Sequence, residues 1–173
     1  GVRPSWEGTL DPRRLTWLAG HRFWDSIVFP AAGFAEIGLA VARALFPEEP
    51  RAVEELELRK ALFLPENQPT PTRVEFDSEE SSFTVYSLRP EDGAWEVNAC
   101  GRLVRAAAAE APRLDAALLR QRMPKHIDHE AYYADVAEKG YQFGPDFQQV
   151  AEIWHGPGEV LGEVVVPEAL MDS

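Results

Sequence analysis

The run LAGHRFWDSIVFPAAGFAEIGLAVA, from Leu18 to Ala42, limits what this chain can fold into more than any other stretch. Pro30 suits the first turn of a helix, where its missing N–H would have no intrahelical partner. Pro47 stops the same element. The sequence therefore predicts a helix from Pro30 to Phe46. Phe34, Ile37, Val41 and Leu45 recur at helical spacing, and Leu39, Ala40 and Ala44 leave little polar surface beside them. A helix so apolar is expected to be buried on most sides, and other structure has to wrap it.

The wrapping material follows directly. Leu56 and Leu58 alternate with Glu55, Glu57 and Arg59; Val74 and Phe76 alternate with Glu75 and Asp77. Phe83 to Leu88 is rich in strand formers, and Trp95, Val97, Ala99, Gly101 and Leu103 alternate with polar residues or Cys100. Period-two patterns of this kind are strands. One long apolar helix followed by several antiparallel strands predicts an α+β unit whose sheet curls around the helix. Upstream, residues 1–20 read as an extended entry with turn signals at Gly8 and Asp11-Pro12, and Trp24-Asp25-Ser26 reads as a turn.

A second cycle begins after an alanine-rich connector from Ala106 to Pro112 and a short helix from Leu114 to Met123. Residues His129 to Lys139 read as helix, and Val150 to Trp154 and Val160 to Val166 as strands. The expected organisation is a first unit over 1–105, a linker over 106–125 and the start of a second, incomplete unit over 126–173.

A chain of 173 residues can bury a substantial core. Its formal net charge of -12 argues against a nucleic-acid partner, since phosphate binding wants a basic face. Cys100 is the only cysteine, so no internal disulfide forms, and this fits a reducing compartment. With no signal peptide and no apolar stretch of transmembrane length, the expectation is a cytoplasmic protein with no membrane span.

His21 is the first candidate for chemistry. It precedes Pro30 by nine residues, and a helix start offers backbone N–H groups and the positive end of a dipole. The amides of Ala31 and Ala32 would polarise a carbonyl oxygen placed there. A histidine nearby suits removal of a proton from the adjacent carbon, because imidazole titrates nearest neutrality. The second candidate is KGYQFGPDF, Lys139 to Phe147, in which glycines and Pro145 hold Tyr141, Phe143 and Phe147 on a rigid loop. His126, His129 and His155 are spaced three and then 26 residues apart with no accompanying carboxylate pattern, so they read as surface residues and no metal site is expected.

Together these stretches resemble two motifs of the dehydratase domains of modular polyketide synthases. His21 and Pro30 match HxxxGxxxxP, and the following AAGF matches its small-residue helix start. Gly140, Tyr141, Gly144, Pro145 and Phe147 match GYxYGPxF, with Phe143 in place of the second tyrosine. The resemblance implies a double hotdog, two units each with a long helix wrapped by an antiparallel sheet. It also implies dehydration of a β-hydroxyacyl thioester to the α,β-unsaturated thioester during polyketide or long-chain lipid assembly. No cofactor is implied; the substrate rides on the phosphopantetheine arm of an acyl carrier protein. His21 would be the general base, and Pro30, Ala31, Ala32, Tyr141, Gly144 and Pro145 would contact substrate. The partners implied are the acyl carrier protein, other synthase domains and a second copy in a homodimer.

Two departures stand out. Asp25 occupies the glycine position of the first motif, and the family's DxxxQ or DxxxH motif, which carries the acid, is absent from the 173 residues. The chain is therefore expected to be a domain cut before that motif and inactive alone, with Asp172 a loop residue. Alternatives on the same fold are double-bond isomerisation or pyran formation, or a non-catalytic dimerisation or docking domain. Arg13, Arg14 and Arg22 are the cations nearest His21 in sequence, available either to a carrier phosphate or to neighbouring carboxylates.

Overall fold

The structure, a computed structural model, describes residues 3–106 and 113–167. Most of the alanine-rich connector, together with Asp172, lies outside the described residues. In chain order the elements are β1 (Ser5–Leu10), β2 (His21–Phe23), β3 (Ser26–Val28), α1 (Ala31–Leu45), β4 (Arg51–Leu58), β5 (Phe63–Leu64), β6 (Thr70–Asp77), β7 (Ser82–Leu88), β8 (Trp95–Arg105), α2 (Ala116–Gln121), β9 (Lys125–Asp128), α3 (His129–Glu138), β10 (Tyr141–Phe143), β11 (Val150–Gly156) and β12 (Glu159–Val164). They group into two compact units, one within Gly1–Ala19 and Ser26–Ala108, the other within Gly20–Asp25 and Ala109–Ser173. The sequence reading put residues 20–25 in the first unit and 106–125 in a linker; residues 20–25 and 113–125 group with the second unit.

The first unit is an α+β hotdog. Its antiparallel sheet has the order β1-β6-β7-β8-β4. The pairing of β4 with β8 shifts between Glu54 and Glu57, and that of β7 with β8 between Val85 and Tyr86. Such bulges bend strands and increase twist, which lets a sheet curl. Helix α1 fills the curl. It starts as the prolines predict, with Pro30 in extended conformation as N-cap (φ -70°, ψ 148°), and ends where the Phe46 N–H bonds the Ala42 carbonyl.

Packing density on the helix comes from small residues as much as large ones. Phe83, fully buried on β7, pushes its ring between Gly38 of α1 and Gly101 of β8. A Cβ at Gly38 would sit 2.6 Å from the ring, and one at Gly101 2.8 Å. Phe29 likewise occupies the space a side chain at Gly33 would need. Around them Leu18, Ile27, Phe34, Val41, Leu64, Phe76 and Leu103 complete the core.

The expectation that α1 is buried on most sides is corrected. Phe34, Gly38, Val41 and Ala42 are buried, whereas Glu36, Ala40, Arg43 and Ala44 are exposed. Glu36 and Arg43 share one stripe two turns apart and form an ion pair along it. Alanines set the high apolar content of the helix, but an alanine is indifferent to which side it faces. The long polar side chains decide.

In the second unit α3 carries the expected helix, and β9, β11 and β12 form a three-stranded antiparallel sheet. Asp128 caps α3 by accepting a hydrogen bond from the Ala131 N–H. The strand β9 was not anticipated. It carries His126, whose ring stacks on Trp154 with centroids 5.3 Å apart and whose Nε2 lies 3.3 Å from Glu152. His129 Nδ1 approaches the Val150 carbonyl at 2.8 Å. His155 lies within β11.

Candidate active site

His21 opens β2, a three-residue strand that pairs antiparallel with β10, so that Phe143 lies opposite His21, Gln142 opposite Arg22 and Tyr141 opposite Phe23. The two motif segments, far apart in sequence, are therefore adjacent strands in the second unit. Next to this ladder the chains come closer than side chains would permit. The Gly144 N–H donates to the Gly20 carbonyl at 2.7 Å. A Cβ on Gly144 would lie 3.0 Å from the Gly20 Cα. Glycine at both positions is what allows the approach.

The imidazole is held by aromatic rings. Its centroid lies 5.2 Å from that of Phe143 and 4.9 Å from that of Phe147, both tilted. Such pairings orient the ring. Phe147 sits at the end of a 3-10 turn, Pro145–Phe147, with Gly144 as its N-cap and Pro145 at its first position. That turn is tied down by Tyr133 of α3. The Tyr133 hydroxyl donates to the Phe147 carbonyl and accepts from the Val150 N–H, each at 3.1 Å. Tyr133 is a supporting residue that motif reasoning missed; its helical position carried no signal of the contact.

Tyr141 joins the same row of rings, 5.2 Å from Phe23 and 5.9 Å from Phe143, and is exposed. The structure thus brings His21, Tyr141, Gly144 and Pro145 together. Pro30, Ala31 and Ala32 belong to the first unit. Pro30 is buried, Ala31 and Ala32 are exposed, and the first N–H with a carbonyl partner in the turn is that of Gly33, bonded to Pro30 at 2.9 Å.

The turn after β2 explains how an aspartate replaces the motif glycine. Trp24 and Asp25 both have positive φ, 44° and 65°. Aspartate tolerates that region. Its carboxylate accepts a hydrogen bond from Gln142 Nε2 at 2.9 Å, and its carbonyl accepts from Arg22 Nη1 at 2.7 Å. Trp24 is unusual there and is compensated: its N–H donates to the Gly140 carbonyl at 2.9 Å, and its indole covers Gly140. Gly140 itself has φ 91°, and a Cβ on it would meet the indole at 2.4 Å. The Gly140→Ala variant is expected to lose about 1–3 kcal/mol, the range for overpacking a filled site. A lower midpoint in thermal melts together with altered Trp24 fluorescence checks this; an unchanged melt contradicts it.

Of the upstream arginines, Arg13 is engaged. Arg13 grips Asp11 through Nε at 2.9 Å and Nη2 at 2.8 Å. These hydrogen bonds hold the Asp11 carboxyl below the usual carboxylate range. The carboxylate account of Arg13 therefore prevails over the carrier-phosphate account.

The first unit is of the hotdog class, and comparison with known proteins narrows it. Residues 2–88 match the family described as "Polyketide synthase dehydratase domain", and residues 111–173 the family described as "Polyketide synthase dehydratase N-terminal domain". The chain belongs to the polyketide synthase dehydratase family. Similar proteins include the phenolphthiocerol synthesis polyketide synthase type I Pks15/1 of Mycobacterium bovis, 34% identical over 92% of this chain and 8% of that protein. Polyketide synthase GfsE of Streptomyces halstedii is 32% identical over 94% of this chain and 4% of its own length. The chain thus spans less than a tenth of these relatives. Among solved structures, the dehydratase domain from the CurF module of curacin polyketide synthase aligns with a TM-score of 0.87 at 23% identity, over 99% of this chain and 64% of that one. A trans-AT PKS dehydratase domain from Brevibacillus brevis aligns with a TM-score of 0.84 at 21% identity, covering 99% and 66%. Among the described residues no helix is long and apolar enough to cross a membrane.

Proposed function

We propose that this chain supplies the proton-abstracting half of a dehydratase acting on a β-hydroxyacyl thioester, presented on the phosphopantetheine arm of an acyl carrier protein within a multidomain synthase. His21 takes the proton from the carbon between the thioester carbonyl and the β-carbon. The electron pair left behind forms the α,β double bond as the β-hydroxyl departs, protonated by an acid, as water. The base must be aimed, and the local structure supports that reading: His21 starts a strand paired to β10 and its ring is braced by Phe143 and Phe147. That bracing is the observation that carries the reading. Reach of an imidazole nitrogen to the substrate carbon is the geometric requirement for a general base. The multidomain setting follows from the relatives, of which this chain spans a small fraction.

The test is direct. The dehydratase-containing protein is incubated with a β-hydroxyacyl group loaded on its acyl carrier protein, and the acyl chain is followed by mass spectrometry. Loss of one water with appearance of the conjugated enoyl thioester is the expected result. An unchanged β-hydroxyacyl chain defeats the proposal.

A further inference from the structure

Helix α3 carries His129 and Tyr133 at a spacing of four residues, which places them on one face. Their rings are tilted together with centroids 4.8 Å apart. Both reach the chain at or just after the Pro145–Phe147 turn. His129 Nδ1 meets the Val150 carbonyl at 2.8 Å; a carbonyl only accepts, so this nitrogen carries the proton. The Tyr133 hydroxyl accepts from the Val150 N–H and donates to the Phe147 carbonyl, each at 3.1 Å. It is donor and acceptor at once, and phenylalanine can fill neither role.

The Phe147 end of the turn matters because of what stands on it. The turn's own bonds, from the Phe147 N–H to Gly144 and from the Gln148 N–H to Pro145, give it its shape. They do not say where that shape sits, and hydrogen bonds within a 3-10 turn are of poorer geometry than those of an α-helix. Bonds to other segments place it. At its start the Gly144 N–H is bonded to the carbonyl of Gly20, the residue before His21. At its end Tyr133 holds Phe147 to α3.

Tyr133 also meets the second ring that braces the imidazole. Its ring stands edge-on to that of Phe143, with centroids 6.4 Å apart and planes at 87°. Phe143 and Phe147 are the rings packed on His21, at 5.2 and 4.9 Å. One side chain of α3 therefore engages both residues that orient the imidazole, from a layer behind them.

We infer, on the reading of His21 as the general base, that Tyr133 is a positioning residue for that base and acts on it through Phe147 and Phe143. Removing the hydroxyl releases the Phe147 end of the turn from α3, and the ring packed on the imidazole gains freedom with it. The imidazole then spends less of its time aimed at the substrate carbon. Proton transfer slows, whereas binding of the acyl chain is little altered.

Tyr133→Phe, which keeps the ring beside Phe143, is made in the dehydratase-containing protein. Its kcat on the carrier-bound β-hydroxyacyl thioester is expected to fall by roughly 10–10²-fold, up to the loss that a misplacement of about 1 Å causes. KM should stay close to the parent's, since the hydroxyl acts on the chemical step. By NMR, the His21 Hε1 resonance, shifted by the ring currents of Phe143 and Phe147, is expected to move or broaden in the same variant. Asp128→Ala controls for stability alone, because it removes the cap of α3 and leaves the Tyr133 hydroxyl in place. Its kcat and its His21 resonance should match the parent's. An unmoved His21 resonance in Tyr133→Phe, or an equal loss of kcat in Asp128→Ala, would overturn the assignment and leave Tyr133 a packing residue. Normal turnover in Tyr133→Phe with His21→Ala impaired would remove the role of Tyr133 alone. Normal turnover in His21→Ala would remove the base, and the role of Tyr133 with it.

Discussion

Replacing His21 with alanine is expected to lower dehydration of the carrier-bound β-hydroxyacyl thioester by roughly 10²–10⁴-fold, the usual contribution of a positioned general base. The loss should fall on kcat, because the imidazole contributes to proton transfer and little to substrate affinity. Stability should barely move: His21 is only partly buried, and the strand it opens is held by backbone bonds to β10 that alanine preserves. The decisive comparison is therefore turnover against thermal midpoint in the same variant. Near-normal turnover would remove His21 from the chemistry. An equal collapse of stability would recast it as a packing residue between Phe143 and Phe147.

Truncating Phe83 to alanine is the largest expected change in stability, about 3–5 kcal/mol by chemical denaturation. The ring is fully buried and occupies space that two glycines leave for it. Those neighbours cannot collapse inward, because neither has a side chain to swing. The complementary substitution gives a prediction with the opposite sign from helix propensity. Alanine is favoured over glycine in a helix by about 1 kcal/mol, yet Gly38→Ala should destabilise the protein, since its Cβ would lie 2.6 Å from the Phe83 ring. A stabilised Gly38→Ala variant would show that the ring moves aside at little cost.

Much of the first unit was legible because punctuation and period agreed. The helix predicted from Pro30 to Phe46 matches the observed ends of α1, Ala31 and Leu45, to within a residue. The alternation along Val74–Phe76 and Trp95–Leu103 corresponds to β6 and β8. Among the strands the sequence reading missed, three show the physical reason. β1 is an edge strand exposed along most of its length, so burial imposed no strong alternation on it. β5 is two residues long, shorter than one period. β9 reads KHID, a polar string that is a strand only because β11 pairs with it.

The sequence by itself determined the family and the long helix, because motif spacing and proline positions survive without knowledge of contacts. Only the tertiary structure decided that His21 and Phe143 are cross-strand partners, that Gly20 and Gly144 permit the close approach beside them, and that Asp25 is held by Gln142. It also decided which face of α1 is buried, and it tied Tyr133 to the Phe147 carbonyl. The physical reason is the same in each case. Propensity and periodicity act between residues a few positions apart, whereas these features depend on which distant segments fill the same space.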